Sequence, residues 1–143
     1  MQVHDIMSRK VELTDPNMTI RDVARRMRAD SIGALPVGEN DRLVGMVTDR
    51  DIVVRAVAEE RLPGNTSVRE VMSENICYCF EDDNLEDAAR IMAEHQVKRL
   101  PVLNRNKRLV GIVALGDIGR SGADCAQTAL EGISQETGQT RRM

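Results

Sequence analysis

The chain has 143 residues, 41% of them hydrophobic and 30% charged, with a formal net charge of -3 at pH 7. This length supports one globular core and excludes two ordinary independent domains. We expect no nucleic-acid partner, because charges of both signs are mixed and form no basic stripe to attract phosphate. With no export signal and no apolar run long enough to span a bilayer, we expect a cytoplasmic protein without a membrane partner.

The most informative feature of the sequence is an internal repeat. VHDIMS at residues 3–8 returns as VREVMS at residues 68–73, about 65 positions later. After a one-residue insertion, RLVGMV at residues 42–47 returns as RLVGIV at residues 108–113. Matches of this length, in the same order, indicate a duplication.

The duplication predicts how the chain is organised. The first repeat spans residues 1–62 and the second spans residues 63–120, with Pro63 and Gly64 at the junction. Residues 121–143 have no counterpart in the first repeat and are rich in Gly, Gln, Thr and Ser. We expect this tail to be mobile or to form a short helix.

Each repeat has the same predicted elements. A helix begins after Thr19 or Asn84, either of which can cap it, and apolar residues follow at helical spacing. They are Ile20, Val23, Ala24 and Met27 in the first repeat and Leu85, Ala88, Ala89 and Met92 in the second. A strand hairpin near residues 34–48 and another helix come next, and Ser67 with Glu70 forms a capping box for the helix after that.

Three short strands and two helices leave each repeat marginal by itself, because one apolar sheet face stays exposed. Packing two copies through their sheets buries both faces. The predicted fold class is therefore α/β in the mixed sense, built from two tandem repeats related by pseudo-two-fold symmetry.

The hairpin segments also carry a family pattern. LPV follows the first helix of each repeat, and LVGMVTDRDI at residues 43–52 has glycine, apolar residues, Thr and then Asp in that order. Together with the duplication, these motifs make residues 1–120 resemble the CBS domain pair, or Bateman module, of small stand-alone bacterial proteins. The resemblance implies one disk made of both repeats, a homodimer of such disks, and clefts that bind AMP, ADP, ATP, NAD or S-adenosylmethionine.

Thr48 and Asp51 are the strongest candidates for ligand binding. They lie three positions apart, with Arg50 between them, where a strand meets a helix whose first amides are free. The Asp51 carboxylate can accept hydrogen bonds from both ribose hydroxyls, while the Thr48 hydroxyl can donate to a phosphate or ribose oxygen. The alternative interpretation is an ordinary helix cap, which any helix could carry. Within the family pattern, ligand binding is favoured.

The second repeat departs from this pattern. Asp117 is kept, but Ala114 replaces the threonine, so a hydroxyl donor is lost. We therefore expect the cleft with Thr48 and Asp51 to bind more tightly than the cleft with Asp117.

The remaining candidates come from the resemblance alone. In relatives, each cleft takes its base-binding wall from the strand entry of the other repeat, which would put Asn75 and Ile76 beside Asp51 and Lys10 and Val11 beside Asp117. The same resemblance implies aliphatic walls and basic residues that reach the phosphates: Ile32 and Val97 for the walls, Lys98 and Arg99 for the phosphates.

No catalytic template fits the sequence, which lacks a nucleophile elbow, a phosphate-binding loop and a dinucleotide glycine fingerprint. It predicts a regulatory sensor that is not an enzyme, requires no cofactor, responds by changing conformation and has an unidentified regulated protein as a possible partner. Two alternatives stay open. One is a ligand-free interaction or dimerisation module. The other is a thiol or metal sensor, because Cys77 and Cys79 alternate on a predicted strand and His95 could lie near them.

Overall fold

The structure is a computed structural model that describes residues 1–122 and 124–137, with side chains described as far as Ser134. Its α-helices are α1 Ile20–Asp30, α2 Asp49–Ile52, α3 Val68–Val71, α4 Leu85–His95, α5 Leu115–Arg120 and α6 Cys125–Thr137. Its strands are β1 Ala34–Glu39, β2 Arg42–Thr48, β3 Cys79–Phe80, β4 Arg99–Leu103 and β5 Leu109–Ala114. The mixed α/β class is confirmed. In the described part of the chain, no helix combines the length and apolar character that crossing a membrane requires.

Two compact units make up the chain, and their limits are offset from the sequence repeats. One unit is Glu12–Ile76, and the other joins Met1–Val11 to the described residues from Cys77 onward. Each unit therefore takes its hairpin from one repeat and a short amino-terminal segment from the other. Each also has an aliphatic core of its own, centred on Ile20, Leu35 and Val47 in the first and on Met92, Leu100 and Val113 in the second.

The main helix of each unit begins and ends as its sequence predicts. Thr19 Oγ1 accepts the Asp22 N–H at 3.2 Å, and Asn84 Oδ1 accepts the Asp87 N–H at 3.0 Å, which confirms both caps. After the helices, Ser31 and Gln96 adopt the left-handed conformation, with φ of 54° and 56°. These two residues are equivalent in the repeat, so the duplication extends to the backbone.

One residue of the predicted apolar faces was placed wrongly. Ala24 is exposed, whereas the rest of its face is buried. In α4 the equivalent alanine, Ala89, is buried like the rest of its face, and α6 packs along α4 within that unit. Ala24 has no such covering helix in the unit Glu12–Ile76.

The predicted hairpins form in both units. β1 and β2 pair antiparallel, and the turn between them places Asn40 and Asp41 in the left-handed region, as a tight two-residue turn requires. β4 and β5 pair in the same way, while β3 adds to β4 as a parallel neighbour.

The short amino-terminal segment that each unit takes from the other repeat packs on the hairpin of that unit, through equivalent contacts in the two units. Ser73 and Met46 of β2 exchange backbone hydrogen bonds of 2.8 and 2.9 Å, and Ser8 and Ile112 of β5 do the same. The strand glycines allow this approach. A Cβ on Gly45 would lie 2.8 Å from the Ser73 carbonyl oxygen, which is closer than a side chain can come.

The carboxy-terminal stretch predicted as a tail contains α6, which packs closely on α4. Ala129 and Ile133 are buried, and a Cβ added to Gly132 would lie 2.4 Å from the Cβ of Ala93. Residues 123 and 138–143 of that stretch lie outside the described residues.

Candidate functional site

Thr48 and Asp51 are joined by two hydrogen bonds at the point where β2 ends and α2 begins. Thr48 Oγ1 accepts the Asp51 N–H at 3.0 Å, and Asp51 Oδ2 accepts the Thr48 N–H at 2.9 Å. The helix cap weighed as an alternative is therefore present. It leaves the site capable of binding, because the Thr48 hydroxyl can still donate its proton and Asp51 keeps its Oδ1.

The free oxygen of Asp51 faces a guanidinium. Oδ1 lies 3.7 Å from Nη1 of Arg55, one helical turn later, and the Asp51 side chain is 15% exposed. This separation is too long for a hydrogen bond but close enough for electrostatic attraction. The Asp51 Oδ1 therefore has a nearby positive charge while its acceptor positions stay available to a ligand.

Residues at the start of α2 connect this pair to the predicted aliphatic wall. The Asp49 N–H donates to the Gly33 carbonyl oxygen at 2.9 Å, which holds the neighbouring Ile32 close to the cap. Ile32 is half-buried and packs against the core of its unit. Arg50 is exposed, and its N–H donates to the Asp49 Oδ1 at 2.8 Å.

Asn75 and Ile76 belong to the same compact unit as Asp51. They lie two and three residues after Ser73, which pairs with Met46 of β2. Asn75 is exposed and Ile76 is half-buried. An exposed amide followed by a half-buried aliphatic residue is suited to contact a heterocyclic base by hydrogen bonding and by apolar packing.

The equivalent site in the other unit has fewer free groups. Asp117 Oδ2 accepts the Ala114 N–H at 2.8 Å, but no hydroxyl stands where Thr48 would be. Asp117 Oδ1 already accepts a hydrogen bond from the Arg120 guanidinium, which is 75% exposed. A ligand at Asp117 would have to compete with Arg120, so the two sites differ by more than the missing hydroxyl.

The other predicted cleft residues lie in the unit of Asp117. Arg99 is paired in register with Ala114, and the Lys98 carbonyl oxygen accepts the Leu115 N–H at 2.8 Å. Arg99 and Lys98 are exposed, like Lys10. Their neighbours Val11 and Val97 are half-buried. This site is therefore the more basic of the two at its strand entry.

The cysteines do not have the character of sensor thiols. Burial, followed by the charges of Asp83 and Cys77, raises the pKa of Cys79 to about 12, and burial also raises the pKa of Cys77. Thiols of this kind stay protonated near neutral pH and react slowly. Across the described residues, no three His, Cys, Asp or Glu side chains come together in a way that could hold a metal ion.

Arg55 is the residue of this site that sequence reasoning missed. Its position four residues after Asp51 is the spacing of a helical ion pair, and that spacing was an available signal. Its contacts with the backbone of residues 71 and 72 join segments distant in sequence, and no local pattern predicts them.

Comparison with known proteins identifies the family of both repeats. The model of the CBS domain family matches residues 3–57 and 68–122. The CBS domain-containing protein YhcV of Bacillus subtilis is 43% identical over 136 residues, which are 94% of this chain and 96% of that protein.

Three solved structures with a similar fold contain ligands. Hypoxic Response Protein I, with two coordinated zinc ions, has a TM-score of 0.77 at 38% identity, covering 85% of this chain and 98% of its own. The CBS domain pair of protein MJ0100, in complex with 5′-methylthioadenosine and S-adenosyl-L-methionine, has a TM-score of 0.73 at 28% identity, covering 85% and 95%. CBSX2 in complex with AMP has a TM-score of 0.74 at 27% identity, also covering 85% and 95%.

Proposed function

This chain belongs to the CBS domain family, and from that premise we propose that it is a regulatory module that binds an adenosine-containing nucleotide of the AMP, ADP, ATP or NAD class. The binding site is the cleft around Thr48 and Asp51. The observation that carries the proposal is the free Oδ1 of Asp51, fixed by the cap beside a hydroxyl donor. A fixed carboxylate with open acceptor positions matches the two adjacent hydroxyls of a ribose.

The ligands of the structural neighbours support the adenosine part of this proposal. AMP, 5′-methylthioadenosine and S-adenosyl-L-methionine differ at the 5′ position but share adenosine with its ribose diol. The group common to all three is the group that a carboxylate such as Asp51 can recognise. The 5′ substituent then decides which member of the class binds best.

The output of binding is conformational and involves no chemical reaction. A nucleotide held by Asp51 on one side and by Asn75 or Ile76 on the other favours whichever arrangement of these segments fits it best. Lys98 and Arg99 lie in the unit of Asp117 and would provide positive charge for the phosphates of a nucleotide bound there. The protein regulated by this change is a partner of the module, and the module itself is a homodimer.

A thermal-shift series tests the proposal directly. Purified protein is melted with AMP, ADP, ATP, NAD and S-adenosyl-L-methionine in turn, and the recovered ligand is analysed by chromatography. A ligand at about 100 times its dissociation constant adds roughly 2.7 kcal/mol to stability, which raises the melting temperature by several degrees. If no adenosine compound shifts melting at millimolar concentration, the proposal is wrong. A chemically altered nucleotide would show that the protein is an enzyme.

The second candidate function is a ligand-free interaction module. It is favoured by exposed apolar side chains, Val53, Val54 and Val57, on the helical segment that continues α2. Such a surface is suited to another protein chain. Native mass spectrometry of freshly purified protein separates the candidates, because a retained nucleotide supports the sensor. The same measurement detects zinc, which one structural neighbour coordinates.

A further inference from the structure

We infer that Arg55 is a positioning residue of the first cleft: it holds the Asp51 carboxylate in place relative to the segment that carries Asn75 and Ile76. This inference rests on the proposed nucleotide site. It assigns to Arg55 an effect on ligand affinity that operates through Asp51, with no contact to the ligand required.

A single nitrogen of Arg55 faces three oxygens. Nη1 donates to the Val71 carbonyl oxygen at 2.9 Å and to the Met72 carbonyl oxygen at 3.2 Å. The same atom lies 3.7 Å from Asp51 Oδ1. Arg55 therefore links α2, which carries the candidate ribose acceptor, to the carboxyl end of α3.

The two carbonyls are groups that need a donor. They follow the last turn of the short helix α3, where carbonyl oxygens lack partners within the helix itself. Arg55 supplies this donor, and its two hydrogen bonds hold the guanidinium at the end of α3.

The position of the two carbonyls makes the link relevant to the cleft. Residues 71 and 72 lead into Ser73, which is held on β2 by two hydrogen bonds with Met46. Asn75 and Ile76 follow after one intervening residue, Glu74. α2 also begins at the end of β2. The hydrogen bonds of Arg55 therefore connect the helical segment that carries Asp51 with the end of α3, and both are attached to β2. The residues on both sides of the cleft belong to or follow these elements.

The effect on Asp51 comes from charge and does not use up an acceptor position. Oδ2 is held by the Thr48 N–H, and Oδ1 is attracted by Arg55 from beyond hydrogen-bond distance. Ribose hydroxyls can therefore still donate to Oδ1. Without the guanidinium, the carboxylate has only the Thr48 N–H to orient it, and the α3 carbonyls lose their donor.

The other unit supplies a matched control. Arg90 on α4 pairs with Asp87 through a direct hydrogen bond, and its side chain is 57% exposed, against 49% for Arg55. Arg90 stands three residues after its carboxylate, one position earlier than Arg55 does. Removing Arg90 takes away a guanidinium and an ion pair of the same kind without changing a residue of either candidate site.

The test is calorimetric titration of the full chain with AMP, repeated with S-adenosyl-L-methionine. The variants are Arg55→Met, Arg55→Lys, Arg90→Met, Asp51→Asn and the double variant Asp51→Asn with Arg55→Met. We expect Arg55→Met to weaken binding about threefold to fivefold, as the loss of a partly exposed ion pair predicts. Arg55→Lys recovers part of this loss, since a lysine keeps the charge but cannot reach both carbonyls in the same way. Arg90→Met leaves the affinity within about twofold of the wild type.

The double variant separates positioning from a general loss of structure. If Arg55 acts through Asp51, Arg55→Met has no further effect on affinity once Asp51→Asn is in place. An equal effect in both backgrounds overturns the inference, as does an Arg55→Met variant that melts at a lower temperature but binds like the wild type. In both cases the nucleotide site itself stands. If the wild type binds neither probe, the proposed function fails and this inference fails with it.

Discussion

Thr48 and Asp51 hold each other at the start of α2 through two hydrogen bonds of 3.0 and 2.9 Å, each running from a backbone N–H to the other residue's side chain. The pair is thus fixed before any ligand arrives. A binding group that is already oriented loses little conformational entropy on binding, so more of its interaction energy contributes to affinity.

The two aspartates should differ in their contribution to nucleotide binding. Asp51→Ala removes a charged acceptor of the ribose hydrogen bonds and should weaken binding by roughly 1.5 to 3 kcal/mol, about tenfold to a hundredfold. Asp117→Ala should have a smaller effect, because Asp117 is already bonded to Arg120. Calorimetric titration with AMP, ATP and NAD measures the order, and equal losses in the two variants would contradict it.

Substitutions at the caps of α2 and α5 should change the free energy of unfolding in opposite directions. Thr48→Ala removes the oxygen that accepts the Asp51 N–H and should lower the free energy of unfolding by about 1 kcal/mol. Ala114→Thr adds the equivalent oxygen before α5 and should raise it by a similar amount, about 1 kcal/mol. Urea denaturation without ligand measures both. If Ala114→Thr is as destabilising as Thr48→Ala, the equivalence of the two caps is wrong.

Close packing between α4 and α6 should make one glycine intolerant of a methyl group. In Gly132→Ala the new Cβ would lie 2.4 Å from the Ala93 Cβ, so α6 must shift, and we expect a loss of about 1 to 3 kcal/mol despite the better helix propensity of alanine. Gly119→Ala in α5 is the control. Nothing lies within 4 Å of its added Cβ, and we expect a gain of about 0.5 to 1 kcal/mol. Thermal melting of the two variants should therefore shift in opposite directions.

Cys79 should make stability depend on pH in alkaline solution. The pKa of its thiol is about 12 in the folded protein against an ordinary 9.0, because burial disfavours the thiolate. Between these values the folded state holds more protons than the unfolded state, so this contribution is complete below about pH 9 and is lost as the pH rises toward about 12. Cys79→Ala should lower stability near neutral pH and weaken the alkaline decline. Parallel curves of urea midpoint against pH for the two proteins would contradict this.

The exposed valines after α2 should support the proposed homodimer. Val53 and Val57 are exposed and lie one helical turn apart, so they present a single apolar face. Light scattering should give a dimer for the wild type and a monomer for Val57→Glu, since a buried unpaired carboxylate is costly. Glu59→Ala, on the same segment but without an apolar side chain to lose, should stay dimeric. A monomeric wild type at micromolar concentration would exclude this interface.

Sequence patterns predicted the features that depend on near neighbours. The caps at Thr19 and Asn84 form because a side-chain oxygen three residues from a free amide is a local arrangement. The hairpins form because alternating apolar residues flank a short polar turn. The equivalence of Ser31 and Gln96 shows that the duplication was a reliable guide to the backbone.

These local patterns could not predict features that depend on distant parts of the chain. Helical spacing put Ala24 on the buried face, but burial at that position depends on a covering helix such as α6. The contact of Arg55 with the Val71 carbonyl depends on how two helices pack. The unit boundaries at residues 11 and 76 follow from the exchange of segments, which leaves the repeat pattern unchanged.

The exchange of segments between the repeats affects when each unit can fold during synthesis. All residues of the unit Glu12–Ile76 leave the ribosome in one continuous stretch, so its core can assemble while translation continues. The segment before it cannot complete its backbone pairing until later, because Ser8 pairs with Ile112, more than 100 residues further along the chain. Val3 and Met7 are buried in the finished molecule, and members of the core cluster they join, such as Met92 and Val113, are also synthesised later. Residues 1–11 are therefore synthesised well before the residues with which they pack.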